Sequence, residues 1–74
     1  MTDYGVALFD SPSATLRGEK ALKKAGMEVK LIPMPRELSS DCGIALRFTW
    51  SEREQAESAL AQTRLAVVGI HRLE

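Results

Sequence analysis

Apolar positions along this chain come in two rounds of the same order: a short run, a stretch spaced for a helix, then a second run. Tyr4 to Phe9 (Tyr-Gly-Val-Ala-Leu-Phe) is apolar almost throughout and ends at Asp10-Ser11-Pro12, the pattern of a buried strand leading into a helix start. Ser11 suits the N-cap and Pro12 the first helical position, where a missing N–H costs nothing. Behind them Ala14, Gly18, Ala21, Leu22 and Ala25 recur on one helical face, with Arg17, Glu19, Lys20, Lys23 and Lys24 elsewhere. Gly26 followed by apolar Met27 predicts a left-handed helix ending, and the lysines of the last turns favour the negative end of the helix dipole.

Glu28 to Met34 alternates loosely through Val29 and Leu31 before meeting Pro33 and Pro35. Proline lacks the amide hydrogen that a central strand uses, so this segment reads as an edge strand. Ile44, Leu46, Phe48 and Trp50 then alternate with Ala45, Arg47 and Thr49, a strand with one face to the core. Ser51-Glu52-Arg53-Glu54 has the form of a capping box, opening a second helix that turns Ala56, Ala59, Leu60 and Thr63 inward. Arg64 to Leu73 closes the chain as a last strand, in which Ala66, Val68 and Ile70 alternate with Leu65, Val67, Gly69 and His71.

The order strand, helix, strand, strand, helix, strand is the ferredoxin-like split β-α-β pattern (βαββαβ), an α+β two-layer sandwich with a four-stranded antiparallel sheet. Its second and fourth strands belong at the edges, which agrees with the prolines. Its third strand runs antiparallel to the first, so the third begins at the end of the sheet where the first finishes.

Composition narrows the partners. Seventy-four residues suit one domain, 1–74, with one small core. Ten basic and ten acidic residues balance, so the electrostatic footprint of a nucleic-acid or anionic-membrane binder is missing. An RNA-recognition reading of the same fold would want aromatics on the open sheet face, whereas Phe48 and Trp50 alternate as core. The longest apolar run is far short of the ~20 residues that cross a bilayer, and Met1-Thr2-Asp3 carries no basic leader, so a cytoplasmic location is expected. One Cys and one distant His, His71, offer no metal-ligand spacing; no metal and no cofactor are expected. An enzyme is not indicated either, because no second acid or base is spaced to act with a nucleophile and no glycine-rich phosphate loop is present.

The remaining chemistry centres on the lone cysteine. Cys42 sits in the polar loop Ser39-Ser40-Asp41-Cys42-Gly43 and has no partner for a disulfide within its own chain. The topology brings this loop toward Ser11, Pro12 and Ser13 at the start of the first helix. Unpaired amides and the dipole at a helix start favour an anion and lower thiol pKa values, so Cys42 is expected to act as a thiolate nucleophile. Gly43 opens one flank of the sulfur, Ser39 and Ser40 offer hydroxyl donors, and Arg36 and Arg64 add positive charge. Asp10, Glu37 and Asp41 oppose it.

The run Lys30-Leu31-Ile32-Pro33-Met34-Pro35-Arg36-Glu37-Leu38-Ser39-Ser40-Asp41-Cys42-Gly43-Ile44-Ala45-Leu46-Arg47-Phe48, with Glu19-Lys20-Ala21-Leu22-Lys23-Lys24-Ala25-Gly26 upstream, resembles the selenium/sulfur (Se/S) carrier protein-like family of small bacterial domains. The resemblance implies that Cys42 receives sulfur or selenium as a persulfide or selenopersulfide and passes it to an acceptor protein. A cysteine desulfurase or a selenium donor protein would load it. Known small sulfur-relay carriers use Cys-Pro-x-Pro at a helix start, whereas here Gly43 and Ile44 follow Cys42 and the prolines precede it. A second reading stays open: a non-catalytic regulatory or oligomerisation module, pairing as a homodimer through sheet edges or helices, in which Cys42 is incidental.

Overall fold

The computed structural model describes residues 3–35, 38, 43–65 and 67–73. Their elements are β1 (Tyr4–Phe9), α1 (Pro12–Lys24), β2 (Val29–Pro33), β3 (Ile44–Thr49), a 3-10 turn (Trp50–Glu52), α2 (Arg53–Thr63) and β4 (Val67–Arg72). The four strands form one sheet in the order β2-β3-β1-β4, every neighbouring pair antiparallel. This is the ferredoxin-like arrangement expected from the pattern, with β2 and β4 at the edges.

β1 is apolar without alternation because both of its faces are covered. Ala7 and Phe9 point toward the helices and join Leu22, Met27, Leu46, Phe48, Ala56 and Leu60 in the main core. Val6 and Leu8 point the other way and join Ala45 in a second cluster, against which Ile32, Met34, Leu38 and Leu73 pack. The segment leaving β2 therefore folds back over the face that a two-layer sandwich normally leaves to solvent.

α1 starts and stops where its sequence directs. The Ser11 hydroxyl accepts a hydrogen bond from the Ala14 N–H at 3.1 Å, with Pro12 next to the cap. At the other end Gly26 adopts φ +86°, the Gly26 N–H donates to the Lys23 carbonyl and the Met27 N–H donates to the Leu22 carbonyl. Those two bonds make a complete Schellman ending, and buried Met27 and Leu22 supply its apolar contact. The inward face differs from the expected one by a small rotation: Thr15, Gly18 and Leu22 are buried, whereas Ala25 is exposed. Thr15 tolerates burial because its hydroxyl donates to the Ser11 carbonyl at 3.0 Å.

Two local expectations fail. The Ser51–Glu54 capping box does not form, since no side-chain cap bond is made at either the 3-10 turn or α2. The Trp50 N–H still donates to the Asp3 carbonyl at 2.9 Å, but the chain turns there, with the Trp50 ring 6.1 Å from that of Phe48 and Arg53 over it at 5.1 Å. The chain thus enters a 3-10 turn through Ser51, and that serine is no longer the residue before the helix. In β4 simple alternation is broken by a bulge: Leu8 faces Gly69 while Phe9 faces Val67, leaving Val68 as the extra residue, 60% exposed. Val67 and Ile70, of opposite parity, both pack against the main core as a result.

The helices run antiparallel, and the Gln55 side-chain amide at the start of α2 donates to the Ala25 carbonyl at the end of α1. α1 rests on β1 through Gly18: a Cβ there would stand 2.6 Å from the Phe9 ring. Replacing Gly18 by Ala gains ~1 kcal/mol of helix propensity but forces overpacking that costs about 1–3 kcal/mol. The net expectation is a lowered thermal midpoint, at roughly 4–8 °C for each kcal/mol lost in a domain this small. A midpoint equal to or above the wild type in a thermal melt would show that Phe9 can yield.

Candidate functional site

Strand registers bring four chain segments to one end of the sheet. Ala7 opposite Leu46 carries the end of β1 alongside the start of β3, Phe9 lies opposite Val67 at the start of β4, and Pro33 lies opposite Ile44 at the end of β2. The turn Asp10-Ser11 into α1 leaves from this same end. Arg64 also lies here, ending α2 in the left-handed conformation at φ 61°.

The β2–β3 connection is pinned at its two roots. Pro33 falls where a strand amide would point to the open edge, so its missing N–H costs the ladder nothing, and the Met34 N–H donates to the Gly43 carbonyl at 3.1 Å. Gly43 itself is exposed at φ +78°, where a side chain would meet no neighbour but would strain the backbone, so glycine is required for conformation rather than for room. Leu38 forms a turn with Pro35, its N–H donating to the Pro35 carbonyl at 3.0 Å, and packs with Met34 on the Val6, Leu8 and Ala45 cluster. Arg36, Ser39, Ser40 and Cys42, together with Glu37 and Asp41, lie outside the described residues.

The helix start has less free hydrogen-bonding capacity than its position suggests. Pro12 has no N–H, the Ala14 N–H goes to the Ser11 hydroxyl, and the Thr15 N–H goes to the Ser11 carbonyl. Of the first turn's amides, that of Ser13 is left for an outside acceptor among the described residues. The Ser11 hydroxyl is committed to the cap. Ser13 is exposed, and the first turn holds no carboxylate, so the positive end of the dipole is not neutralised within it. Among the described residues, no group of three or more His, Cys, Asp or Glu is placed to hold a metal ion. His71 is an exposed residue of β4.

The role of Leu38 is not legible in the sequence, because an apolar residue in a polar loop carries no sign of which sheet face it will cover. Its one signal was its own character, a leucine between Glu37 and Ser39.

The fold and this pinned connection define a small ferredoxin-like α+β protein with a cysteine-bearing β2–β3 loop. Residues 4–72 match the family described as "Putative Se/S carrier protein-like", and the chain belongs to that family. No curated protein and no solved structure matches it. Among the described residues, no helix is long and apolar enough to cross a membrane.

Ser11→Ala removes the side-chain acceptor of Ala14 and is expected to cost about 1 kcal/mol, against a few tenths for Ser11→Gly. Urea denaturation midpoints of the two variants would check this. Equal midpoints for wild type and Ser11→Ala would mean that the cap carries no net stabilisation.

Proposed function

We propose that this protein carries activated sulfur or selenium on Cys42 and delivers it to a partner protein. Membership of the Se/S carrier-like family over residues 4–72 carries the reading. The chain has one cysteine, and it directly precedes Gly43 at the root of the pinned connection.

In the loading step the Cys42 thiolate attacks the outer sulfur of a donor persulfide. A new S–S bond forms on Cys42, the donor's S–S bond breaks, and the donor leaves as a thiolate. The transferred sulfur keeps its oxidation state, so no external oxidant or reductant enters. In delivery an acceptor nucleophile attacks that outer sulfur and Cys42 departs as the thiolate. Selenium follows the same two displacements as a selenopersulfide. A single cysteine suits this cycle, because a second thiol nearby would attack the inner sulfur, form a disulfide and release the cargo.

Gly43, Arg36, Ser39 and Ser40 shape the loop in this proposal, and the dipole at Ser11 and Ser13 favours the thiolate. The partners are a cysteine desulfurase or selenium donor protein and an acceptor protein, in the cytoplasm. The protein is a carrier with a covalent cysteine intermediate rather than an enzyme with turnover of its own.

Intact mass after oxygen-free incubation with a cysteine desulfurase and cysteine, or with a low-molecular-weight persulfide, tests the assignment. Wild type is expected to gain one sulfur atom that a reducing thiol removes, and Cys42→Ser to gain none. No gain from either donor by a folded protein whose Cys42 is readily alkylated would overturn it and favour a regulatory or pairing module.

A further inference from the structure

The opposite end of the sheet holds a second candidate site, unrelated to Cys42. There an open groove of about 650 Å³ lies between the start of β2, the end of β3 and the end of α1. That volume is in the range of small-molecule sites. Lys23, Lys30 and Arg47 line it against a single carboxylate, Glu28, in a chain whose overall charge is balanced. Lys23 is held by Glu19 at 3.5 Å, but among the described residues neither Lys30 nor Arg47 has a carboxylate partner. The two are direct cross-strand neighbours, so they stand on the same sheet face.

Arg47 is also positioned in advance. Its guanidinium lies over the Tyr4 ring, 4.2 Å from the centroid. Among the described residues its N–H donors meet no acceptor, so they remain available to a phosphate, which a guanidinium can meet with two parallel hydrogen bonds. Holding the side chain against the ring before a ligand arrives reduces the ordering cost of binding. Tyr4, 37% exposed, is the apolar surface beside these cations, because Val29 and the buried Met27 belong to the core on the other side of the sheet.

We propose that this groove binds a small organic phosphate, its phosphate held by Arg47 and Lys30 and its body laid against the exposed part of the Tyr4 ring. A doubly charged phosphate matches two unpaired cations better than a carboxylate does. The exposed Tyr4 ring distinguishes an organic phosphate from the bare ion.

Adenosine monophosphate, adenosine and inorganic phosphate serve as probes in calorimetric titration of the full chain, with folding of each variant checked by circular dichroism. The nucleotide is expected to bind saturably, more tightly than either of the others, and less tightly as salt is added. Lys30→Gln and Arg47→Gln should each weaken it by about tenfold or more. Tyr4→Leu should also weaken it and Tyr4→Phe should not, while Lys20→Gln, on an exposed part of α1, and Cys42→Ser should bind as the wild type does. No saturable binding of the nucleotide, or binding that survives both Lys30→Gln and Arg47→Gln, would overturn the site. Binding of adenosine or of inorganic phosphate as tight as that of the nucleotide would overturn the assignment to an organic phosphate.

Discussion

Everything in this fold depends on β1 being enclosed on four sides. It is paired along both edges, to β3 and β4, and its Val6, Ala7 and Phe9 are wholly shielded from solvent. A strand in that position must be apolar on both faces, and the sheet must then find cover for two sides with only two helices. Both helices go to one side. The other side is closed by Met34, Leu38 and Leu73, borrowed from the β2–β3 connection and the chain end. Covering Val6 and Leu8 at roughly 25 cal/mol per Å² of apolar surface is a sizeable part of what so small a core can contribute.

That economy ties the candidate site to the core. Met34 and Leu38 belong to the segment that leads to Cys42, and Gly43 closes the same connection by accepting from Met34. The residues that cover the second face therefore also fix where the cysteine-bearing loop leaves and re-enters the sheet. The helix start beside it contributes a field more than hydrogen bonds, because the cap and Pro12 use up most of its first-turn groups. α2 ends at this end of the sheet as well, so its negative pole faces the same region as the positive pole of α1. The field on an anion here is a difference between two helix ends, and proximity to Ser13 rather than to Arg64 decides its sign.

Features of this chain are legible in its sequence wherever the physics is local. The Ser11-Pro12 start, the Gly26-Met27 ending and the edge position of a proline-bearing strand each rest on a few adjacent residues, and each is found as expected. The departures from the sequence pattern have non-local causes. Ser51 and Glu54 have the spacing of a capping box, but a 3-10 turn over Trp50–Glu52, with Trp50 packed between Phe48 and Arg53, puts the helix start past Ser51. The β4 bulge appears only in the pairing with β1, and no periodicity within Leu65 to Arg72 announces which residue will be left over. At the candidate site, Gly43 and the sheet-end placement of the Ser11 turn were legible from topology. The roles of Leu38 and of the Arg47–Tyr4 pair were not, because both depend on which face a distant side chain occupies.

Each sheet edge carries an irregularity, a proline in β2 and a bulge in β4, and together they decide how readily another strand can add to the sheet. An incoming strand needs a straight row of alternating donors and acceptors. β2 offers a row with a missing donor at Pro33, and β4 offers one that kinks and twists at Val68. A sheet with both borders spoiled resists being extended by a neighbour, so crowding many copies together should not zip them into longer sheets. The sheet is then held at four strands, whatever its ends and its helices meet.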